Sequence, residues 1–254
     1  MNFLYKMLTA VTAFSVIASS AGAADLGQYD NTKIAWGLGA SADSYGRPLD
    51  AVNAEAKYSQ NGGLFVGEAE HKRLWLTFDE GYENGYTAKI LDVLKEKNVR
   101  AVFFVTYDYV RDNPELIKRM ISEGHTVGNH TRSHPSLPEC SAEEMRRELT
   151  DTHDYVKREF GYDMYVMRPP KGEFSERVLE CAKELGYTTV LWSFAYYDWD
   201  VDRQPDPAEA FAKITQKVHP GAVYLLHAVS KTNTEILGGV IDNWRENGYL
   251  ITPM

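Results

Sequence analysis

The sequence predicts an α/β protein, a distorted seven-stranded (β/α) barrel. Three observations carry that expectation. From Arg73 onward, short strand-type runs alternate with helical patterns. Several helical runs end in glycine just before the next strand-type run, at Gly124, Gly161, Gly186 and Gly248, the expected helix-stop signal. Polar residues of unusual type stand where five of the strand-type runs end, and in a (β/α) barrel those ends share the face that carries the active site. An open doubly wound sheet is the competing architecture, but it would leave some of these residues away from its switch point.

The strand-type runs are 74–77, 101–105, 126–128, 165–167, 188–191, 222–226 and 249–251. Helical patterns fall at 88–97, 114–123, 142–160, 173–185, 207–218 and 234–247, with Pro114 and Pro207 suited to first-turn positions. Strand, helix and strand repeated in this way build βαβ units and a parallel sheet. Residues 24–72 are rich in Gly, Ala and Asn, with one short helix expected over 49–58. They read as an arm packed on the main domain, 73–254.

The chain has 254 residues, 44% of them hydrophobic, and a formal charge of -9. That length supplies one sizeable core. The acidic balance argues against nucleic acid as a partner, which would call for a basic stripe. Residues 1–23 have the form of a signal peptide: Lys6 precedes an apolar stretch over 7–17, and Ala21-Gly22-Ala23 offers a small-residue cleavage site. The apolar stretch is shorter than the roughly 20 residues that span a bilayer. No cysteine follows the cleavage site, so a lipid anchor is not expected, nor any transmembrane span once the leader is removed. Cys140 and Cys181 are the only cysteines and remain unassigned, although the apolar helical neighbours of Cys181 suit a buried thiol.

The stretch 74–82 ends a strand in two carboxylates, Asp79 and Glu80, followed by Gly81, which permits a tight turn or close approach to a ligand. His130 and His134 are four residues apart, one helical turn, which puts both imidazoles within reach of one metal ion. A carboxylate from Asp79 or Glu80 is a candidate third ligand, and such a set leaves positions open for water and substrate. The other histidines, His71, His125, His153 and His219, are read as solvated or capping. Arg168 precedes Pro169-Pro170-Lys171-Gly172, a stiff turn, and is suited to bind a carboxylate and keep it ionised. Asp198 lies within Tyr197-Asp198-Trp199, and His227 ends an apolar strand. A nearby carboxylate raises a histidine pKa and favours the imidazolium, which makes a general acid.

These residues resemble five motifs of the NodB-like polysaccharide deacetylases of carbohydrate esterase family four. Thr77 to Gly81, His130 to His134, Arg168 to Lys171, Tyr197 to Trp199 and Leu225 to His227 stand in the family's order, and the resemblance covers 73–254. Within the family, Gly81 to Thr87, Arg168-Pro169-Pro170 and His219 to Ser230 are similar to the branch that deacetylates N-acetylmuramic acid in peptidoglycan, the delta-lactam-biosynthetic enzymes of spore cortex. The resemblance implies a secreted or cell-envelope hydrolase of the N-acetyl amide acting on peptidoglycan glycan strands, as a monomer. It implies a divalent metal ion, zinc before others, on His130, His134 and Glu80. Asp79 is then the general base held by Arg168, and His227, tuned by Asp198, is the general acid. Lys171 supplies a backbone N–H to the oxyanion, while Tyr82 and Trp199 contact the glycan. The sequence departs from the family at Glu80, usually aspartate or asparagine, and at Lys171, where many relatives have tyrosine. An N-acetylglucosamine deacetylase acting on peptidoglycan or chitin-like chains is the nearby alternative, and a catalytically inactive glycan-binding barrel is the alternative of another class.

Overall fold

A computed structural model describes residues 25–254; the expected signal peptide, 1–23, lies outside them. The strands are β1 (Ile34–Ala35), β2 (Gly63–Leu64), β3 (Arg73–Glu80), β4 (Val102–Val105), β5 (Thr126–Asn129), β6 (Val166–Met167), β7 (Glu173–Phe174), β8 (Thr188–Val190), β9 (Ala222–His227) and β10 (Leu250–Ile251). The helices are α1 (Leu49–Tyr58), α2 (Thr87–Glu96), α3 (Tyr107–Asp112), α4 (Pro114–Ser122), α5 (Ala142–Phe160), α6 (Glu176–Glu184), α7 (Pro207–Gln216) and α8 (Lys231–Glu246).

All seven expected strands form and pair in parallel, and β2 of the arm joins them beside β8. The sheet runs β9, β3, β4, β5, β6, β8, with β10 on the first two residues of β3. Beyond β8 the chain reaches back to β9, where Phe194 bridges Tyr224 in parallel, so the sheet curls into a distorted barrel closed by one bridge. Side chains alternate along β3 as the pleat requires. Leu74, Leu76 and Phe78 enter the large core under the helices, while Trp75 packs on the smaller inner cluster of Val102, Phe104, Val166, Val190 and Val223. The helices owe their ends to local chemistry. Ser141 and Glu144 form a reciprocal cap at the start of α5, and Gly161 ends it in the left-handed conformation.

One expectation about an element is corrected, and the arm helix forms over the expected residues. Residues 173–174 are not helical; they form β7, antiparallel to β1, and Ser175 caps α6 through its bond from the Val178 N–H. The arm helix is α1, and the arm also shares the core. Phe65 is fully buried, with its ring 4.9 Å from Trp36 and 5.5 Å from Phe174. The Trp36 indole N–H donates to the Trp192 carbonyl.

Among the described residues no helix is long and apolar enough to cross a membrane. Both cysteines are free thiols, and Cys181 is buried. His125 and His219 are not solvated. The His125 ring accepts the Ala101 N–H, and burial pushes its pKa down to about 4. His219 is bonded to Ser193 Oγ and the Lys217 carbonyl beside the barrel closure.

Candidate active site

The longest pairing in the sheet, β3 with β9, sets Asp79 and His227 side by side as register partners at the barrel rim. Asp79 continues the inward-facing set of β3 toward Arg168, whose guanidinium stacks 4.2 Å above the Phe104 ring. Arg168 has no exposed surface, and its Nη1 donates to Asp79 Oδ1 at 2.7 Å, while Nε and Nη2 donate to the carbonyls of Val190 and Leu191. Burial pushes the Asp79 carboxyl up, but the Arg168 charge, with His130 and His227, outweighs it and leaves Asp79 below its ordinary range. A buried, ionised carboxylate is the result, as a general base requires.

His227 has the opposite bias. Burial would push its pKa down, but Asp198 outweighs this and raises it. Asp198 Oδ1 lies 2.7 Å from His227 Nδ1, and Oδ2 accepts the His227 backbone N–H at 2.9 Å. Asn233, on α8, was not singled out from the sequence. It donates to Asp198 Oδ2 at 2.6 Å and to the His227 carbonyl, and accepts a bond from the Tyr196 hydroxyl. Asp198 and Asn233 are both buried, so one oxygen of Asp198 is fixed on the imidazole. Nothing in the local sequence marks Asn233, because the contact spans 35 residues.

His130 and His134 do meet, with ring centroids 4.9 Å apart, but not on a helix. They lie on a loop after β5 in which Thr131 and His134 adopt positive φ, 69° and 58°. Asn129 Oδ1 accepts the Thr131 N–H, and Thr131 Oγ1 accepts the His134 N–H. The loop brings together by hydrogen bonding what helical spacing was expected to supply. Burial lowers the pKa of both imidazoles, that of His134 to about 4. His130 Nδ1 is 2.8 Å from the Arg168 carbonyl, which can only accept, so Nδ1 carries the proton and Nε2 presents a lone pair. That lone pair faces Asp79 Oδ2 across 3.6 Å.

Glu80 is not brought to the histidines. One residue along the pleat from Asp79, it follows Leu76 and Phe78 to the helix-facing side, where its oxygens accept from Thr87 Oγ1 at 3.4 and 3.5 Å. Burial, with Glu83 nearby, raises its pKa well above its ordinary value and so favours its protonated form. The expectation that Glu80 completes a metal set is corrected on this ground. Among the described residues no three His, Cys, Asp or Glu side chains are already gathered to hold an ion. Two neutral imidazoles, one with its tautomer fixed, beside an ionised carboxylate nonetheless fit a divalent cation by donor chemistry.

Two clefts of about 610 and 570 Å³ share Asp79, His130, His134, Trp199 and His227. The larger is walled by Lys171, Trp192 and Tyr197, and by Gly37 and Leu38 from the arm, which the sequence pattern did not connect with the site. The smaller is lined by Tyr82, Gly81 and Arg132. Gly81 needs neither a positive φ nor room from the protein, and its place on the cleft wall leaves that space to a ligand. Tyr82 and Trp199 are about half exposed, and the Trp199 ring lies 5.6 Å from His227. Lys171 has φ 60° and ψ 6°, and a Cβ on the next residue, Gly172, would fall 2.5 Å from Trp192 and 3.1 Å from Trp36.

Comparison with known proteins agrees with this geometry. Residues 66–190 match the family described as Polysaccharide deacetylase. The chain is 40% identical over 246 residues to the peptidoglycan-N-acetylmuramic acid deacetylase PdaA of Bacillus subtilis, covering 96% of this chain and 92% of the relative. The solved structure of that family 4 carbohydrate esterase superposes with a TM-score of 0.83, covering 88% of this chain and 96% of that one. A family 4 carbohydrate esterase from Bacillus anthracis superposes with a TM-score of 0.72 at 42% identity, covering 89% and 95%. The peptidoglycan-N-acetylglucosamine deacetylase PgdA of Listeria monocytogenes is 35% identical over 179 residues, 70% of this chain and 37% of its own.

Proposed function

The chain belongs to the polysaccharide deacetylase family, hydrolases of amide bonds, and on that premise we propose that it removes the N-acetyl group from N-acetylmuramic acid in peptidoglycan. The observation that carries the chemistry is the pairing of Asp79 with His227 on adjacent strands, one biased toward ionisation and the other toward protonation. Acid and base with opposed pKa shifts across one cleft are the requirement of amide hydrolysis.

Water adds to the acetyl carbon as Asp79 takes its proton, with Arg168 fixing the carboxylate. The backbone N–H of Lys171 is assigned to the oxyanion of the tetrahedral intermediate. His227 then gives its proton to the nitrogen as the C–N bond breaks, because an unprotonated amide nitrogen leaves poorly. The products are acetate and the free amine of the sugar. A divalent metal ion, zinc before others, is proposed on His130 and His134, where it would supply positive charge that polarises the carbonyl and acidifies water. Asp79, rather than Glu80, is the carboxylate beside these imidazoles, with Oδ2 3.6 Å from His130 Nε2.

Muramic acid is preferred over glucosamine because the muramic acid deacetylase relative is 40% identical across 96% of this chain, whereas the Listeria glucosamine deacetylase is 35% identical across 70% of it. The freed amine lies next to the lactyl carboxyl of the same sugar, as delta-lactam formation in spore cortex requires. With the leader 1–23, this reads as a monomeric enzyme secreted to the cell envelope. N-acetylglucosamine deacetylation is the second reading, supported by the Listeria relative. An inactive glycan-binding barrel has no use for a cleft histidine backed by the buried Asp198, which argues against it.

The test is acetate release from peptide-free peptidoglycan, peptide-bearing peptidoglycan and chitooligosaccharides, with and without chelator, and identification of the deacetylated sugar by mass spectrometry. Chelator-sensitive release from muramic acid is expected. Release from glucosamine alone moves the assignment to the second reading, and no release with any divalent ion points to the inactive barrel.

A further inference from the structure

Within the muramic acid reading, we infer that the Lys171 side chain recognises the free lactyl carboxylate that distinguishes muramic acid from glucosamine. The two sugars differ by one lactyl ether on the carbon next to the acetamido group. A site that tells them apart therefore needs a cation a few bond lengths from the reacting amide. The charges on the larger cleft wall leave one candidate. His130 and His134 are committed to the proposed metal ion, with ring centroids 4.9 Å apart. Arg168 is buried and bonded to Asp79, and His227 is bonded to Asp198. Lys171 lines the same cleft, is exposed, and makes no ion pair among the described residues. Glu139, whose carboxylate feels the Lys171 charge, is instead bonded to Lys33 of the arm at 2.7 Å.

The backbone under Lys171 is rigid enough to present that charge in one place. Pro169 and Pro170 precede it, and Gly172 is clamped against Trp192 and Trp36. A flexible lysine on a fixed base meets a carboxylate as a point charge, without the bidentate geometry an arginine would impose.

The experiment compares the full chain with Lys171→Gln and Lys171→Arg on peptide-free muramoyl oligosaccharide, on the same oligosaccharide with its lactyl carboxyls converted to neutral amides, and on chitooligosaccharide. Lys171→Gln is expected to raise KM for the free carboxylate roughly five- to tenfold, the range of a charge-assisted contact open to water. The amide form is expected to respond little, and Lys171→Arg to recover most of the loss. Equal losses on the charged and neutral substrates, or no loss on either, overturn the inference. Binding of the peptide-free oligosaccharide, measured by calorimetry in the His227→Ala background, separates this inference from the functional reading. Weakened binding in Lys171→Gln, with no acetate released from muramic acid by the unaltered chain, supports the contact while removing the reading. Unchanged binding, with muramic acid deacetylated, overturns the contact alone.

Discussion

Arg168 Nη1 lies 2.7 Å from Asp79 Oδ1, and the guanidinium making that bond has no contact with solvent. A buried carboxylate stays ionised here because a charge of fixed position faces it. Replacing Arg168 with Met is expected to leave Asp79 buried without a counter-charge and to cost about 3–5 kcal/mol in stability. The sign with pH follows from the depressed folded pKa. The stabilisation is present above the unfolded value of about 3.9 and is lost as pH falls through the folded value. In Arg168→Met that pKa rises, so the acid limb of the kcat/KM profile moves to higher pH. Arg168→Lys is expected to rescue poorly, since the bonds to Val190 and Leu191 are made by a guanidinium fork. Chemical denaturation and a pH–rate profile measure both effects.

Glu80→Gln separates the two placements of that residue. Its raised folded pKa means that Glu80 favours folding at low pH, and that this advantage declines as pH rises from the unfolded carboxylate value toward the folded one. Glutamine keeps the shape and removes the titration. Stability at neutral pH is expected to be equal or higher, with zinc affinity within about twofold of the unaltered chain. A ligand lost from the metal would instead cost tenfold or more in affinity, and calorimetric titration with zinc decides between them.

For His227→Ala, turnover is expected to fall on the order of 10²–10⁴-fold while metal affinity persists. The imidazolium is favoured by Asp198, so the folded pKa lies above the unfolded value of about 6.5. Its stabilisation is full below that unfolded value and is lost as pH rises through the folded one. The unaltered chain is expected to lose this increment at alkaline pH in denaturation series, and the variant is not. Unchanged turnover would remove His227 from the mechanism.

Asn233→Ala tests the support behind the acid. It removes one of the two bonds that hold Asp198 Oδ2 and leaves the buried Tyr196 hydroxyl without its partner. A loss of about 1–3 kcal/mol is expected from the unsatisfied groups. A fall of roughly tenfold in kcat with little change in KM is expected if orientation of His227 is what the network maintains.

The strand ends were legible in the sequence because burying a strand tip that carries charge is costly unless the charge has a partner or a task. Asp79, His130, Arg168, Asp198 and His227 all came from that signal. Strand alternation also contained the fate of Glu80, since Asp79 and Glu80 are neighbours on one pleat and cannot both face inward while the strand remains regular. The wall formed by Gly37 and Leu38 was out of reach. It depends on β1 pairing with β7 and on Trp36 bonding Trp192, contacts between segments some 140 and 156 residues apart. The histidine loop shows the same limit, since spacing suggested a helix and side-chain hydrogen bonds made a loop that serves the same end.

Four residues other than glycine hold positive φ among the described residues, and three of them, Thr131, His134 and Lys171, belong to the site. A left-handed conformation costs an ordinary residue about 1 kcal/mol that glycine escapes. These positions are therefore places where stability and chemistry pull in opposite directions. A selection for thermal resistance alone would drift toward glycine there, erasing an imidazole or an ammonium as it went. The same drift would reveal, in the order the activities disappeared, which of the two the enzyme can least do without.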